Sequence, residues 1–313
     1  MPSRRQVLLG GAAALGSSLG LGATGCSSGE RSGSWATSAP PSPLTPASGP
    51  SRPRGTGGSP AAPGPLVQGS FGSTARRGVA TSWTRALPPG ADPGRPRTAA
   101  GAPLPLCVVL HGKGGSHLDL TRIGYHQVLA DAVAAGVPPF ALVCVDGGNR
   151  YWHRRAAGDD SGAMVTDELL PRLAARGLAA GRTDRIAFLG WSMGGYGSLL
   201  LAGRRGPAGT AAVVAASPAL WQRPQDSAPG AFDDRADYLR NDVWSRRDVL
   251  SRIPLRIDCG NSDPFISATR AFVAGLRPAP SGGFGPGKHN EAYWHRAAPA
   301  ELAFVGARLA AAP

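Results

Sequence analysis

Five residues, Gly190-Trp191-Ser192-Met193-Gly194, constrain what this chain can fold into more than any other stretch. The run before them, Arg185-Ile186-Ala187-Phe188-Leu189, is short, apolar and partly β-branched, the pattern of a buried strand. After them Tyr196, Leu199, Leu200 and Leu201 recur at helical spacing. A serine on a sharp strand-to-helix turn has its hydroxyl pushed into the open, and small flanking residues let the backbone make the turn. The following helix directs its N-terminus at negative charge developing there. In a chain with 45 glycines the pentapeptide alone is a weak signal. Its place between strand and helix makes Ser192 a candidate nucleophile, against the plainer reading of an ordinary glycine-rich turn.

Other apolar runs extend the pattern. Strands are expected at 69–74 and 79–86 with Arg77-Gly78 turning between them, then at 104–110, 140–145, 186–189, 211–216 and 255–259. Helices are expected at 125–135, 164–175, 193–204 and 299–311, with helix and loop across 221–251. Continuous apolar strands separated by helices predict an α/β fold, a mainly parallel central sheet with helices on both faces. Such sheets bind ligands at the carboxyl ends of their strands, where every candidate catalytic group falls.

Serine-based acyl transfer needs a base, an acid that orients it, and donors for the oxyanion. In the chain order Ser, Asp, His, the acid follows a later strand. Asp263, in Gly260-Asn261-Ser262-Asp263-Pro264, fits, although an Asp before Pro is also a common turn former. Asp258 is its rival, but lies inside the strand. His289, in a glycine-rich loop before a helix, fits the base better than His295, which falls in the helical start Tyr293-Trp294-His295. His117, His126 and His153 precede the serine and stand outside this order. The oxyanion donors are expected to be the backbone amides of Met193 and Lys113, the latter in His111-Gly112-Lys113-Gly114-Gly115, with His111 holding that loop. Trp152, Trp191 and Trp221 are candidates to edge the substrate cleft, or else ordinary packing.

Residues 1–26 read as an export signal, with Arg4-Arg5 ahead of a mildly apolar stretch, as in twin-arginine signals. Its end, Ala23-Thr24-Gly25-Cys26, resembles a lipoprotein processing site and makes Cys26 a candidate for lipidation and membrane attachment. The Ser/Gly/Pro-rich tract 27–65 lacks the aliphatic content for a core and is expected to be a disordered spacer. Residues 66–313 are then one catalytic domain. The expected location is the cell envelope, anchored or secreted.

The formal charge is +13, carried almost entirely by dispersed arginines without an aromatic-interleaved stripe, which argues against a nucleic-acid partner. Cys107, Cys144 and Cys259 each sit in an apolar run and are expected to be buried free thiols. No metal-ligand spacing is present, and no cofactor is called for. The aspartates of 221–251, among them Asp226, Asp233, Asp234, Asp237, Asp242 and Asp248, are expected to be mostly solvated.

Leu110-His111-Gly112, Gly190-Trp191-Ser192-Met193-Gly194-Gly195, Asp258-Cys259-Gly260 with Asp263-Pro264-Phe265, and Gly287-Lys288-His289 with Tyr293-Trp294 together resemble the esterase branch of the α/β-hydrolases. That branch includes S-formylglutathione hydrolases, secreted feruloyl and acetylxylan esterases, and mycolyltransferases. The resemblance implies an α/β-hydrolase fold and a cofactor-free serine carboxylic-ester hydrolase. It implies the triad Ser192, Asp263 and His289, an acyl-enzyme intermediate, and a small-molecule or cell-envelope ester as substrate. Acyl transfer to a sugar or other alcohol is the alternative, and a non-catalytic envelope binding protein the third reading. One departure stands out: residues 279–287 are mostly Gly and Pro, so the strand expected before His289 is poorly marked.

Overall fold

The computed structural model describes residues 59–181 and 184–311. The expected export signal, Cys26 and the greater part of the expected spacer lie outside the described residues.

The described residues hold nine strands: β1 (Leu66–Ser73), β2 (Val79–Ala86), β3 (Leu104–Leu110), β4 (Ala141–Val145), β5 (Leu178–Ala179), β6 (Ile186–Trp191), β7 (Thr210–Ala216), β8 (Leu255–Gly260) and β9 (Ser281–Gly285). Their order across the sheet is β1-β2-β4-β3-β6-β7-β8-β9, with the two-residue β5 beside the start of β3. β1 and β2 form an antiparallel hairpin, and β2 also runs antiparallel to β4; the remaining pairs are parallel. At the hairpin turn Arg77 and Gly78 both take positive φ, 58° and 85°.

Burial of both sheet faces explains the continuous apolar strands. In β3, Leu104, Leu106, Val108 and Leu110 face one core, which is completed by Leu199, Leu200 and Leu201 of the helix Met193–Gly209 and by Phe272 of the helix Ile266–Ala274. Cys107 and Val109 face the opposite core with Leu129 of the helix Tyr125–Ala134 and Leu302 and Val305 of the helix Glu291–Ala310. Cys107, Cys144 and Cys259 are buried and free.

Connections leave β3 toward β4 on one side and return to β6 on the other. The reversal opens a crevice at the carboxyl ends of β3 and β6, the usual ligand position in such sheets. The loops that follow these two strands carry Lys113 and Ser192.

Four local expectations differ from the structure. The Gly/Pro-rich stretch does form β9, paired in parallel with β8 from Arg256↔Ser281 to Gly260↔Gly285. A ladder bonds backbone to backbone, so an edge strand needs little from its side chains. The final helix starts at Glu291, not near Pro299: Asn290 caps it by accepting the Tyr293 amide at 3.0 Å, and Pro299 lies inside it. The expected helix at 164–175 is a composite of Ser161–Ala163, a π-helical turn Met164–Leu169, and Leu170–Ala174. The end of the expected spacer is bonded to the domain: Gln127 donates to the Ala61 carbonyl at 2.8 Å, the Ala61 amide to Asp131 at 2.9 Å, and the Leu87 amide to the Pro65 carbonyl at 3.0 Å.

Candidate active site

Ser192 sits between β6 and its helix at φ 56°, ψ −121°, a conformation disfavoured for a residue with a Cβ and costing about 1–3 kcal/mol. Its backbone is held from three sides. Its amide donates to the Ala216 carbonyl at 3.0 Å, and its carbonyl accepts from the Ala219 and Tyr196 amides at 3.0 and 3.1 Å. The neighbouring glycines are sterically required. A Cβ on Gly194 would lie 1.8 Å from the Leu110 carbonyl oxygen, and one on Gly190 would lie 2.4 Å from the Gly194 carbonyl. The turn packs against the end of β3 too tightly for any other residue.

His289 and Asp263 arrive on two loops stitched together. The Asn261 amide donates to the Gly285 carbonyl at 2.7 Å and the Ser262 amide to the Gly287 carbonyl at 2.9 Å. The acid loop after β8 is thereby fixed to the loop after β9. His289 Nε2 lies 2.9 Å from Ser192 Oγ, and His289 Nδ1 lies 2.9 Å from Asp263 Oδ2. The carboxylate can only accept, so Nδ1 carries the proton and Nε2 is free to accept the serine hydroxyl. Phe265 and Trp294 pack on the imidazole, each with its ring centroid 5.3 Å away.

Burial of Asp263 opposes its ionisation. The hydrogen bond from His289 and that from the Phe265 amide, at 2.8 Å, outweigh it and hold the carboxyl below the ordinary carboxylate range. Asp258 contrasts with it. It lies within β8, paired with Arg256 at 2.7 Å, and burial raises its carboxyl despite that partner.

The loop after β3 is braced by His111, the residue expected to hold it, and by two that the sequence does not single out, Asn149 and Asp146. His111 Nδ1 donates to the Gly112 carbonyl at 2.7 Å, while its Nε2 accepts the Gly147 amide at 3.0 Å. Only a neutral imidazole does both, and burial lowers its basicity accordingly. Asn149 accepts the Gly114 amide at 2.6 Å and Asp146 the His117 amide at 2.7 Å. Both braces lie just past the carboxyl end of β4, where the strand-end rule would have directed attention. Among the described residues, the amides of Lys113 and Met193 donate to no protein acceptor.

The three tryptophans part company. Trp152 and Trp191 are fully buried and belong to the two cores, so neither edges a cleft. Trp191 stacks between Tyr125 and Trp294 at 5.4 and 6.0 Å. Trp221 is partly exposed and meets Phe265 edge-on at 5.6 Å, one aromatic ring removed from His289. Asp237 also departs from expectation. It is buried, near His153 at 3.6 Å, and accepts hydrogen bonds from the Asp233 amide and Asn241. Among the described residues there is no group of His, Cys, Asp and Glu that could hold a metal ion, and no helix long and apolar enough to cross a membrane.

The Esterase family model matches residues 94–304, more than half of the chain and the whole of the geometry above. The chain belongs to the esterase family. It is accordingly a serine carboxylic-ester hydrolase by family, on an α/β-hydrolase fold. No curated protein matches it. Among solved structures, a ferulic acid esterase is similar with a TM-score of 0.66 and 22% identity over 78% of this chain and 98% of its own. An S-formylglutathione hydrolase from Staphylococcus aureus follows at 0.61 and 18%, over 77% and 98%. MPT51 of Mycobacterium tuberculosis is similar at 0.58 and 17%, over 80% and 99%. At these identities the likeness is one of fold.

Proposed function

We propose that this esterase is exported to the cell envelope and works through a Ser192–His289–Asp263 triad and an acyl-enzyme. The observation that carries the reading is the unbroken pair of 2.9 Å hydrogen bonds from Ser192 Oγ through His289 to Asp263. Ser192 Oγ attacks the ester carbonyl carbon while its proton passes to His289 Nε2. Asp263 stabilises the resulting imidazolium and keeps the ring in the tautomer that can accept. The Met193 and Lys113 amides take the oxyanion. Collapse breaks the bond to the alcohol oxygen, which leaves with the proton from His289. Water then enters, gives a proton to His289, and repeats the attack on the acyl-enzyme, releasing the carboxylic acid and restoring Ser192.

Export rests on the Arg4-Arg5 signal, and anchoring on lipidation at Cys26. Both would be tested by locating the full chain and a Cys26→Ala variant in membrane and soluble fractions of the host cell. Retention of the variant on the membrane would remove the anchoring part of the proposal.

For the chemistry, p-nitrophenyl esters from acetate to palmitate are offered to the full chain and to Ser192→Ala. We expect turnover on some chain length and a loss of about 10⁴-fold or more in the variant. Turnover unchanged in Ser192→Ala, or none on any ester, would overturn the assignment.

A further inference from the structure

We propose that the far end of the Ser192 helix carries a second binding site, for a phosphate ester. A cavity of about 380 Å³ is lined by Arg154, Arg155, Ala156, Arg204, Arg240 and Asn241. Arg204 lies twelve residues after Ser192 on the same helix, so at 1.5 Å per residue it is about 18 Å from the serine. This pocket and the ester site are therefore separate.

Four guanidinium groups from three distant segments converge there, and they are not equally engaged. Arg155 is committed: its Nη2 and Nε bond Asp233 at 2.7 and 3.1 Å, and its Nη1 bonds the Gly230 carbonyl at 3.0 Å. Arg240 reaches the buried Asp237 at 3.4 Å and is otherwise exposed. Arg204 bonds the side-chain carbonyl of Asn241, a neutral partner, and among the described residues neither it nor Arg154 has a carboxylate within ion-pair distance. Arg204 is partly desolvated, which lowers its guanidinium below the ordinary value, and the Arg246 charge adds to the effect against Asp160 and Asp237. Two of the four guanidinium groups, those of Arg154 and Arg204, therefore line the cavity without a carboxylate partner among the described residues, beside two that have one.

The frame beneath is rigid. Asn241 is buried, donates to the Asp237 carbonyl and carboxylate, both at 2.8 Å, and accepts the Tyr196 hydroxyl on its own carbonyl at 2.8 Å. Tyr196 and Arg204 both project from the Ser192 helix, so the arginine is positioned by the same helix that it decorates.

The chemistry of the ligand follows from the number of forks. One guanidinium satisfies both oxygens of a carboxylate. Several converging ones suit a phosphate, whose oxygens point to different sides. A neighbouring cavity of about 310 Å³ also has Arg204 in its lining, with Asp160, Gly162 and Thr166, and leaves room for the remainder of an ester. Two sources share this chemistry, a soluble phosphate ester and a phospholipid headgroup.

The test uses the full chain and the double variant Arg154→Gln/Arg204→Gln. Binding of glycerol 3-phosphate and of acetate is measured by calorimetric titration. Co-sedimentation is measured with vesicles of phosphatidylglycerol and of phosphatidylcholine. Turnover of a p-nitrophenyl ester by both proteins reports that the variant is folded. The expected result is saturable binding of glycerol 3-phosphate, tighter than acetate and weakened about tenfold or more in the variant, with turnover retained. If sedimentation with phosphatidylglycerol also falls in the variant, the source is a lipid headgroup; if it does not, the source is a soluble ester. No saturable phosphate binding, equal binding of acetate, or binding indifferent to the two substitutions would overturn the proposal. Circular dichroism of both proteins reports the fold independently of turnover, so loss of the triad reading would leave this test intact.

Discussion

Asp263 is a buried carboxylate whose ionisation is sustained by two donors, the His289 ring and the Phe265 amide. In Asp263→Asn the amide can present its NH₂ to His289 Nδ1, favouring the tautomer with its proton on Nε2, which cannot accept from Ser192. Turnover is expected to fall about 10⁴-fold, as for tautomer loss in serine triads generally, with substrate binding little changed. The same residue makes a stability prediction. Its folded pKa lies below the unfolded one, so it stabilises the fold above the ordinary carboxylate range. That contribution is lost as pH falls through the depressed folded value. Urea midpoints of wild type and Asp263→Asn should therefore differ at neutral pH and converge in acid; a constant gap would contradict the assignment. Chain order nominated Ser192, Asp263 and His289, and the structure brings them within hydrogen-bond reach. The tryptophans were not legible in this way, because whether Trp152 or Trp191 meets a cleft or a core depends on neighbours brought from afar, such as Tyr125 and Trp294.

At the scale of elements, strands buried on both faces announced themselves as unbroken apolar runs, whereas β9 did not. Its stability comes from the ladder to β8, which no side-chain pattern records. The final helix begins well before Pro299 for a related reason. Pro299 suits a helix start when seen locally, but Asn290 and the packing of Leu302 and Val305 carry the helix through it. That helix also buries Glu301 completely, bonded to the Tyr125 hydroxyl at 2.7 Å, and burial raises its carboxyl from 4.5 to about 8. The folded state thus holds a proton that the unfolded chain releases, and stability should decline by about 1.4 kcal/mol per pH unit between those two values. Glu301→Gln keeps an acceptor for Tyr125 and cannot ionise. Chemical denaturation at pH 6 and pH 8 should show the variant losing less stability than the wild type; parallel losses would mean that Glu301 is charged throughout.

At the scale of the molecule, composition alone placed the edge of the domain at Leu66, because residues 59–65 contain little that can be buried. The structure attaches this segment by backbone atoms instead. Gln127 donates to the Ala61 carbonyl, the Ala61 amide to Asp131, and the Leu87 amide to the Pro65 carbonyl, and His126 bonds the Gly64 carbonyl at 2.8 Å. Three of the four partners belong to the helix Tyr125–Ala134, which packs on the core behind Trp191. The space at Gly64 is equally demanding, since a Cβ there would lie 2.2 Å from the Leu87 carbonyl oxygen. Three of the seven residues are prolines, which lowers the entropy lost on ordering the segment, so these contacts should leave a net stabilisation. A chain beginning at Ser59 should therefore unfold at higher urea than one beginning at Leu66. The difference should come with faster amide exchange in the Tyr125–Ala134 helix of the shorter chain, since the partners it loses lie there. Equal midpoints and equal exchange would return residues 59–65 to the status of a tether.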